Sequence, residues 1–508
     1  MRSAAPTLWS ALFKLPEQPA LPLQARLRLA VVRAILDGRL PSAAPVPSSR
    51  ELARLLGLSR NTVTAAYQQL IDEGFLEARP RSGVFVRAGA RPAMALAPAD
   101  GGASPGTSAP HWGRRVLRSL SQQPTLAKPE RWREYQFPFV YGGVDATLFP
   151  TDDFRECCSR SLSRAQLEHW TRDFETDDVP ELLEQIRLRV LPKRGVFALK
   201  DEILVTVGAQ QAYFLLAEAL MTEATRVGFE EPGYPHARNT FGLRQPLWRP
   251  LALDGDGLVT DALQDVDYVF VTPSHQSPTT VTMSLARRQR LLRLAEEQDF
   301  VIIEDDYEAE NLFDGLPMPA LKSLDKAGRV IYVGSLSKSL SPALRLGFIV
   351  APQALIAELR LLRLAMVRHP SPFLQHAYAL FLSLGHHDSH ARRVNLAMQE
   401  RLAGVNAAMQ AHLPEFTFTL PRGGAGIWVQ GPEWLDAAEL AQMARAHGVL
   451  IEAGAAFYFA PPYPCRHFRL RLSSIATAAI PAGIRALAAA VDELAHARGE
   501  RRPVRPPS

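Results

Sequence analysis

The chain has 508 residues, 47% of them hydrophobic, which is more than one core uses, since single cores stop growing at roughly 250–300 residues, so two domains are expected. Three cysteines, Cys157, Cys158 and Cys465, are too few for a disulfide framework and have no metal-ligand spacing, and they read as structural thiols in a reducing compartment. No apolar run approaches the ~20 residues of a membrane-spanning helix, and the N-terminus lacks the apolar core and cleavage site of a secretory signal, so a cytoplasmic protein is expected. The net charge of +5 is unevenly divided: residues 1–88 carry 12 Lys and Arg against 6 Asp and Glu, which leaves about −1 for the remainder. A front domain that meets a polyanion would show this distribution, as would a merely solvated basic face.

In chain order, the first predicted element is an amphipathic helix. "LPLQARLRLAVVRAILDGRL" sets Leu23, Leu27, Ala30, Val31, Ala34 and Ile35 on one face and stops at Gly38. "PSSRELARLLGLSRNTVTAAYQQL" predicts two more helices around a "GLS" turn, the first capped by Ser48 or Ser49 and the second by Ser59. "GFLEAR" and "GVFV", joined by "PRS", form a hairpin. Helix, turn, helix and basic hairpin is the layout of a winged helix-turn-helix. Arg60, Asn61, Thr62 and Thr64 lie at the start of the last helix, the end that enters the major groove, where Arg and Asn make bidentate contacts to base edges. Arg50 at the start of the preceding helix, and Arg79 and Arg81 in the hairpin, fall near phosphates or the minor groove. Leu21 to Val86 closely resembles the GntR class of bacterial winged-helix regulators, through "VPSSRELA" and "LSRNTVTAAYQQL". The resemblance implies a domain over residues 15–88 that binds double-stranded operator DNA. A small helical domain used for packing or dimerisation is the plainer alternative.

Residues 89–134 are rich in Ala, Pro, Gly and Ser with almost no apolar period, and read as a flexible linker. Over 135–498, strand-like runs such as "EILVTVG", "DYVFVTP", "FVIIEDD" and "RVIYVGS" alternate with helical stretches. That alternation predicts an α/β domain with a mainly parallel sheet. From about Pro370, long helical segments mixed with "GIWVQ" and "FRLRLS" predict a smaller α+β lobe.

Several separated motifs in this domain converge on one cofactor. "LVTVGAQQAYFLLAEAL" is a strand, a Gly turn and a helix, and the amides of Gly208, Ala209 and Gln210 at the helix start suit a phosphate. "EPGYP" places Tyr234 on a turn, where it stacks on a flat ring or simply packs. "FVIIEDDYEAE" brings Asp305 to a strand's carboxyl end, where ligands gather in α/β sheets. A buried carboxylate there pairs with the protonated ring nitrogen of pyridoxal phosphate, and Tyr307 reaches the phenolic oxygen. An acidic cap for the next helix falls to Glu304 or Asp306 more readily than to Asp305. "YVGSLSKSLSPALRLGFIV" carries Lys338, an amine able to form a Schiff base, together with Ser335, Ser337 and Arg345 to hold a phosphate.

In this order the segments resemble fold-type-I pyridoxal-phosphate enzymes of the aspartate aminotransferase class over roughly 135–495, and with the winged helix in front the whole chain resembles the MocR family of bacterial regulators. The resemblance implies Lys338 as the cofactor lysine, Asp305, Tyr307 and Tyr234 around the ring, and Ser335 and Arg345 at the phosphate. It makes Arg469 in "HFRLRLSS" the clamp for an effector's acidic group, with Arg471 on the same face of the strand. His236 falls where some relatives place an effector-binding arginine. Two departures stand out. "TPSHQSPTT" puts Ser277 in the slot of a cofactor-binding asparagine, with His275 and Gln276 as substitutes, and "DFETDDVPELLEQI" replaces the expected Tyr and Gly pattern. The first weighs against full transaminase chemistry, and the second leaves a cofactor contact from a neighbouring subunit unassigned. The function implied is a homodimeric, pyridoxal-phosphate-dependent transcription regulator that senses an amino-group-bearing effector through external aldimine formation. The rivals are an active aminotransferase with an incidental front domain and a regulator that binds its effector without the cofactor.

Overall fold

The computed structural model describes residues 9, 12–13, 15–16, 21–88, 112–116, 120, 123–126, 128–141, 143, 145–165, 167, 177–261, 263–308, 310, 313 and 318–500, apart from the side chains of Ser337 and Ser339. The chain divides into two compact units, residues 1–118 and 119–508. Residues 89–111 of the segment read as a linker, and 173–176 of the departing "DFET" stretch, lie outside the described residues.

In the first unit, α1 (Leu23–Leu36), α2 (Ser49–Leu56) and α3 (Arg60–Asp72) close on a core that includes Leu27, Val31, Leu52, Val63 and Leu70. The strand β1 (Pro45–Val46) joins the hairpin of β2 (Leu76–Arg79) and β3 (Gly83–Val86) in the antiparallel order β1-β3-β2. Ser48, rather than Ser49, caps α2: its hydroxyl accepts from the Glu51 N–H at 3.2 Å, and Ser59 accepts from the Thr62 N–H at 3.1 Å to cap α3. The buried Tyr67 hydroxyl donates to the Pro47 carbonyl at 2.9 Å and so ties α3 to the segment before α2.

The second unit begins with β4 (Phe137–Pro138) and α4 (Thr151–Ser161). Its large lobe then runs β5 (Ile203–Thr206), α5 (Gly208–Leu220), β6 (Arg226–Glu231), α6 (Pro235–Phe241), β7 (Leu247–Asp254), β8 (Gly257–Leu258), β9 (Tyr268–Val271), α7 (Leu285–Glu297), β10 (Val301–Asp306), α8 (Leu321–Leu324), β11 (Val330–Ser335), α9 (Ser337–Leu340), β12 (Gly347–Val350) and α10 (Gln353–Val367). The eight strands lie in the order β5-β12-β11-β10-β9-β6-β7-β8. The expected parallel sheet is in fact mixed: β12 runs antiparallel to both β11 and β5, and β8 to β7. The reason is length. Residues 336–346 joining β11 to β12 are fewer than the dozen or more that a parallel crossover needs, so the chain returns antiparallel.

After α11 (Pro372–Ser383) and α12 (His386–His412) come β13 (Thr417–Phe418), β14 (Gly426–Gln430), β15 (Val449–Leu450), β16 (Glu452–Ala453), β17 (His467–Arg471) and α13 (Ile480–Ala497). The small lobe is the antiparallel sheet β13-β14-β17-β16, with β15 paired to β4. Its membership differs from the sequence-based division at both ends. Phe137 and Phe139 bury themselves in the small-lobe core against Gly483, whereas Tyr378, Phe381 and Leu382 of α11 pack with Cys157, Leu182 and Phe348 in the large lobe. Burial of aromatic surface decides these memberships, and chain order does not reveal it.

Gly334 in β11 faces the Phe348 ring so closely that a Cβ would lie 2.3 Å from it. Gly334→Ala is expected to destabilise the second unit by about 1–3 kcal/mol through overpacking, seen as a lower-temperature calorimetric transition; an unmoved transition would show that Phe348 can yield.

Candidate functional site

The strand β10 ends in three buried acids, and each has a different solution to its burial. Glu304 accepts from the Leu321 and Lys322 N–H groups, both at 2.7 Å, and so caps α8. Asp306 takes Arg194 Nε at 2.7 Å and the Tyr332 hydroxyl at 2.8 Å. Asp305, between them and 2% exposed, accepts the Tyr213 hydroxyl on Oδ2 at 2.8 Å, while its Oδ1 is buried with no partner. Burial pushes the Asp305 carboxyl up to about 7, against the lowering effects of the Tyr213 hydrogen bond and the Lys338 charge.

Asp305 lines a cavity of about 380 Å³ in which most of the residues singled out from the sequence of this unit meet. Lys338 enters from α9, its Nζ 4.4 Å from the centre of the Tyr141 ring, 4.8 Å from that of Tyr307 and 3.9 Å from Glu308 Oε1. Gly208, Ala209 and Gln210 bring the start of α5 to the same cavity, together with Ser335 and Arg345. Gly208 has φ +70°, and a Cβ there would sit 3.1 Å from the Arg345 guanidinium; a Cβ on Gly347 would lie 2.9 Å from the Gly208 carbonyl carbon. Two glycines thus let the amides of α5 and a guanidinium converge on one small space. The Ser337 side chain lies outside the described residues.

Tyr234 and His236, at the start of α6, line the cavity, and burial followed by the nearby Arg469 charge lowers the His236 pKa, which keeps the imidazole neutral. Of the three candidates in the 272–280 loop, Ser277 reaches the cavity. Gln276 is turned inward, its amide donating to Glu230 Oε2 at 3.1 Å and to the Pro232 carbonyl at 2.9 Å. His275 is buried beside Gly424. Arg469 and Arg471 share one face of β17 and both line the cavity. Each is already paired with a buried carboxylate: Arg469 Nε with Glu452 at 2.6 Å, Arg471 Nη2 with Glu308 at 2.5 Å.

Sequence reasoning missed Tyr213, Tyr141, Lys128, Glu308 and Glu452, all around this cavity. Tyr213 carried a usable signal, since a tyrosine on the apolar face of a helix needs an acceptor for its hydroxyl, and Glu308 stands next to Tyr307 in "FVIIEDDYEAE"; Tyr141, Lys128 and Glu452 come from distant segments. No group of acids, histidines and cysteines suited to a metal occurs among the described residues.

On the first unit, Arg50, Arg60, Asn61, Thr64, Arg79 and Arg81 are exposed. Thr62 is half-buried, its hydroxyl 2.8 Å from that of Ser59. Arg79 pairs with Glu77 at 2.6 Å and lies 4.5 Å from the centre of the Phe85 ring, and Arg81 turns the hairpin at φ +60°.

The residues of the cavity fit pyridoxal phosphate: a buried carboxylate oxygen without a partner for a protonated ring nitrogen, an amine for the aldehyde, and a cradle of amides and guanidinium for the phosphate. Fold and site together define a two-part protein, a winged helix-turn-helix followed by an aminotransferase-type α/β domain. Residues 23–86 match the family of bacterial regulatory proteins of the gntR type, and residues 164–487 match aminotransferase class I and II. The transcriptional regulator TauR of Rhodobacter capsulatus is 40% identical over 92% of this chain and 96% of its own. The probable rhizopine catabolism regulatory protein MocR of Rhizobium meliloti is 32% identical over 80% of each chain. Among solved structures, LysN of Thermus thermophilus, an α-aminoadipate aminotransferase complexed with N-(5'-phosphopyridoxyl)-L-leucine, is 27% identical with a TM-score of 0.66, covering 73% of this chain and 96% of LysN. The chain belongs to the MocR family of transcriptional regulators.

The buried acids set a pH dependence. Asp305 and Glu230 both have folded-state pKa values raised to about 7 by burial, so between the ordinary carboxylate range and pH 7 the folded chain holds protons that the unfolded chain has released. Their contribution to stability is complete below that window and is lost as pH rises through it. Thermal unfolding of the cofactor-free protein should therefore shift downward between pH 5 and pH 8 (roughly the span of those pKa values). Asp305→Asn should flatten the slope; an equally steep slope in that variant would assign the effect to other groups.

Proposed function

We propose that the protein is a cytoplasmic, homodimeric transcription regulator that binds operator DNA through its front unit and pyridoxal phosphate in the cavity at Lys338, and that it answers to a small effector bearing a primary amine and an acidic group. The observation that carries this reading is the unpartnered Oδ1 of the buried Asp305, in one cavity with Lys338 and the Gly208–Arg345 cradle.

When bound, the cofactor supplies an aldehyde that exchanges primary amines reversibly and a ring that withdraws electrons. Asp305 would hold the ring nitrogen and its proton, Tyr307 the phenolic oxygen, and Tyr234 the ring face. The amides of Gly208, Ala209 and Gln210, with Ser335 and Arg345, would hold the phosphate. Lys338 is the amine that would hold the cofactor's aldehyde in place. Glu452 meets Arg469 at Nε, and the fork of its terminal nitrogens is the bidentate donor proposed for the effector's acidic end. Neutral His236 adds a hydrogen-bonding group without a second charge. In the first unit, Arg60, Asn61 and Thr64 would read base edges in the major groove, with Thr62 helping to hold the start of α3, while Arg50, Arg79 and Arg81 meet the backbone or minor groove. Effector occupancy would alter operator affinity through the coupling between the two sites, typically ~1–3 kcal/mol.

A mobility shift on the DNA upstream of the protein's own gene, with and without pyridoxal phosphate, in excess competitor and at fixed salt, tests the regulator. Specific retention is expected, and Arg60→Ala or Asn61→Ala should each weaken it by about 1–3 kcal/mol, the worth of a bidentate hydrogen-bond pair to a base edge. Borohydride should fix the cofactor onto Lys338 in the native protein and leave none attached in Lys338→Ala. Absence of specific retention with steady transamination would instead make the protein an enzyme.

A further inference from the structure

Glu308 leaves the end of β10 in the large lobe, yet its carboxylate is held from the small lobe. Oε1 accepts from Arg471 Nη2 at 2.5 Å and Oε2 from the Ala425 N–H at 3.0 Å. The residue is 5% exposed, and the Arg471 and Lys338 charges keep its carboxyl, despite burial, down at about 2. Lys338 Nζ stands 3.9 Å from Oε1, inside ion-pair reach and just outside hydrogen-bond distance. The lysine's other near neighbours are the faces of Tyr141 and Tyr307, which attract a cation only weakly.

A lysine that alternates between a bonded and a free state in a half-buried cavity has a physical problem, because its free ammonium must be solvated by something. Exchange of one amine for another at an aldehyde carbon would form the carbon–nitrogen bond to the incoming amine and break that to Lys338; with the carbon-bound nitrogen protonated before and after, the two protons lost by the incoming ammonium end on Lys338 Nζ, which leaves as an ammonium. We propose that Glu308 is the resting partner of Lys338, the fixed carboxylate that takes up its ammonium whenever the lysine is not bonded to the cofactor. The inference rests on Lys338 being the cofactor lysine. A shift of about 1 Å converts the present approach into a charge-assisted hydrogen bond. Glu308 has the capacity, since a carboxylate offers about four acceptor positions and Arg471 and Ala425 use two. It also needs no new desolvation, being already dry and paired. Of the other carboxylates that line the cavities with Lys338, Asp305 has one oxygen on Tyr213 and the other facing the ring-nitrogen position, Asp306 is paired with Arg194 and Glu452 with Arg469, and the lysine itself pairs with Glu308.

The test is trace acetylation of Lys338 in the full-length, cofactor-free protein, scored by mass spectrometry against the exposed Lys326. Glu308→Gln should acetylate Lys338 about three- to tenfold faster than the native chain, as expected when one such interaction is removed. Glu308→Asp, which keeps the charge, should restore most of the slow rate, a rescue that mere loosening of the cavity would not give. The double variant Glu308→Gln with Arg471→Gln removes both members of the buried pair; it serves if the single variant does not fold, and its Lys338 should still label faster than native. A native labelling rate in either folded variant overturns the proposal. Borohydride reduction of the loaded native protein separates the two ideas: cofactor on Lys338 with an unchanged labelling rate in the variants removes only the role of Glu308, whereas no cofactor on Lys338 removes the reading on which it rests.

Discussion

Carboxylates are costly to bury, and β10 buries three in succession. Strand alternation turns Asp305 to one face of the sheet and Glu304 and Asp306 to the other. On the second face the oxygens find hydrogen-bond partners, the start of α8 for Glu304 and Arg194 and Tyr332 for Asp306, though burial still raises the Glu304 carboxyl to about 7. On the first face, Tyr213 satisfies one oxygen of Asp305 and leaves the other bare. A fully paired Asp305 would be a structural residue. Its bare oxygen leaves an acceptor position open in the cavity, and burial raises the carboxyl to about 7.

The rest of the cavity follows from how the sheet is wound. Because 336–346 is too short for a crossover, β12 turns back beside β11 and inserts between it and β5. That reversal brings Arg345, at the start of β12, against Gly208 at the end of β5, two positions far apart in the chain. Lys338 rides on the same connection. The meeting of the Arg345 guanidinium with the start of α5 and the placement of the Lys338 amine are therefore products of one tight return, which the glycines at 208 and 347 allow to close without collision.

Both arginines that β17 presents are paired with buried carboxylates, Arg469 with Glu452 and Arg471 with Glu308. Removing one partner from such a buried pair is expensive, so any acidic ligand group would gain by sharing a guanidinium and lose by displacing its carboxylate. The family joins such a site, on an aminotransferase-type fold, to a regulator's front domain.

Much of this was readable in the chain. The caps at Ser48 and Ser59, the helical faces of the front unit, and the strand-end placement of Asp305 and Lys338 are local features, set by hydrogen-bond geometry and by the period of apolar residues within a few turns. The residue types of a pyridoxal-phosphate site likewise stand in order along the sequence. Other features depend on meetings between segments distant in the chain. The reversal of β12, the partnership of Tyr213 with Asp305, the inward turn of Gln276 that leaves Ser277 at the cavity, and the pairing of Arg471 with Glu308 all belong to this second kind. Local propensity determined which elements form and which ends they present; the packing of those ends in a dry interior, where every charge must find a partner or shift its protonation, decided which of the candidate residues meet.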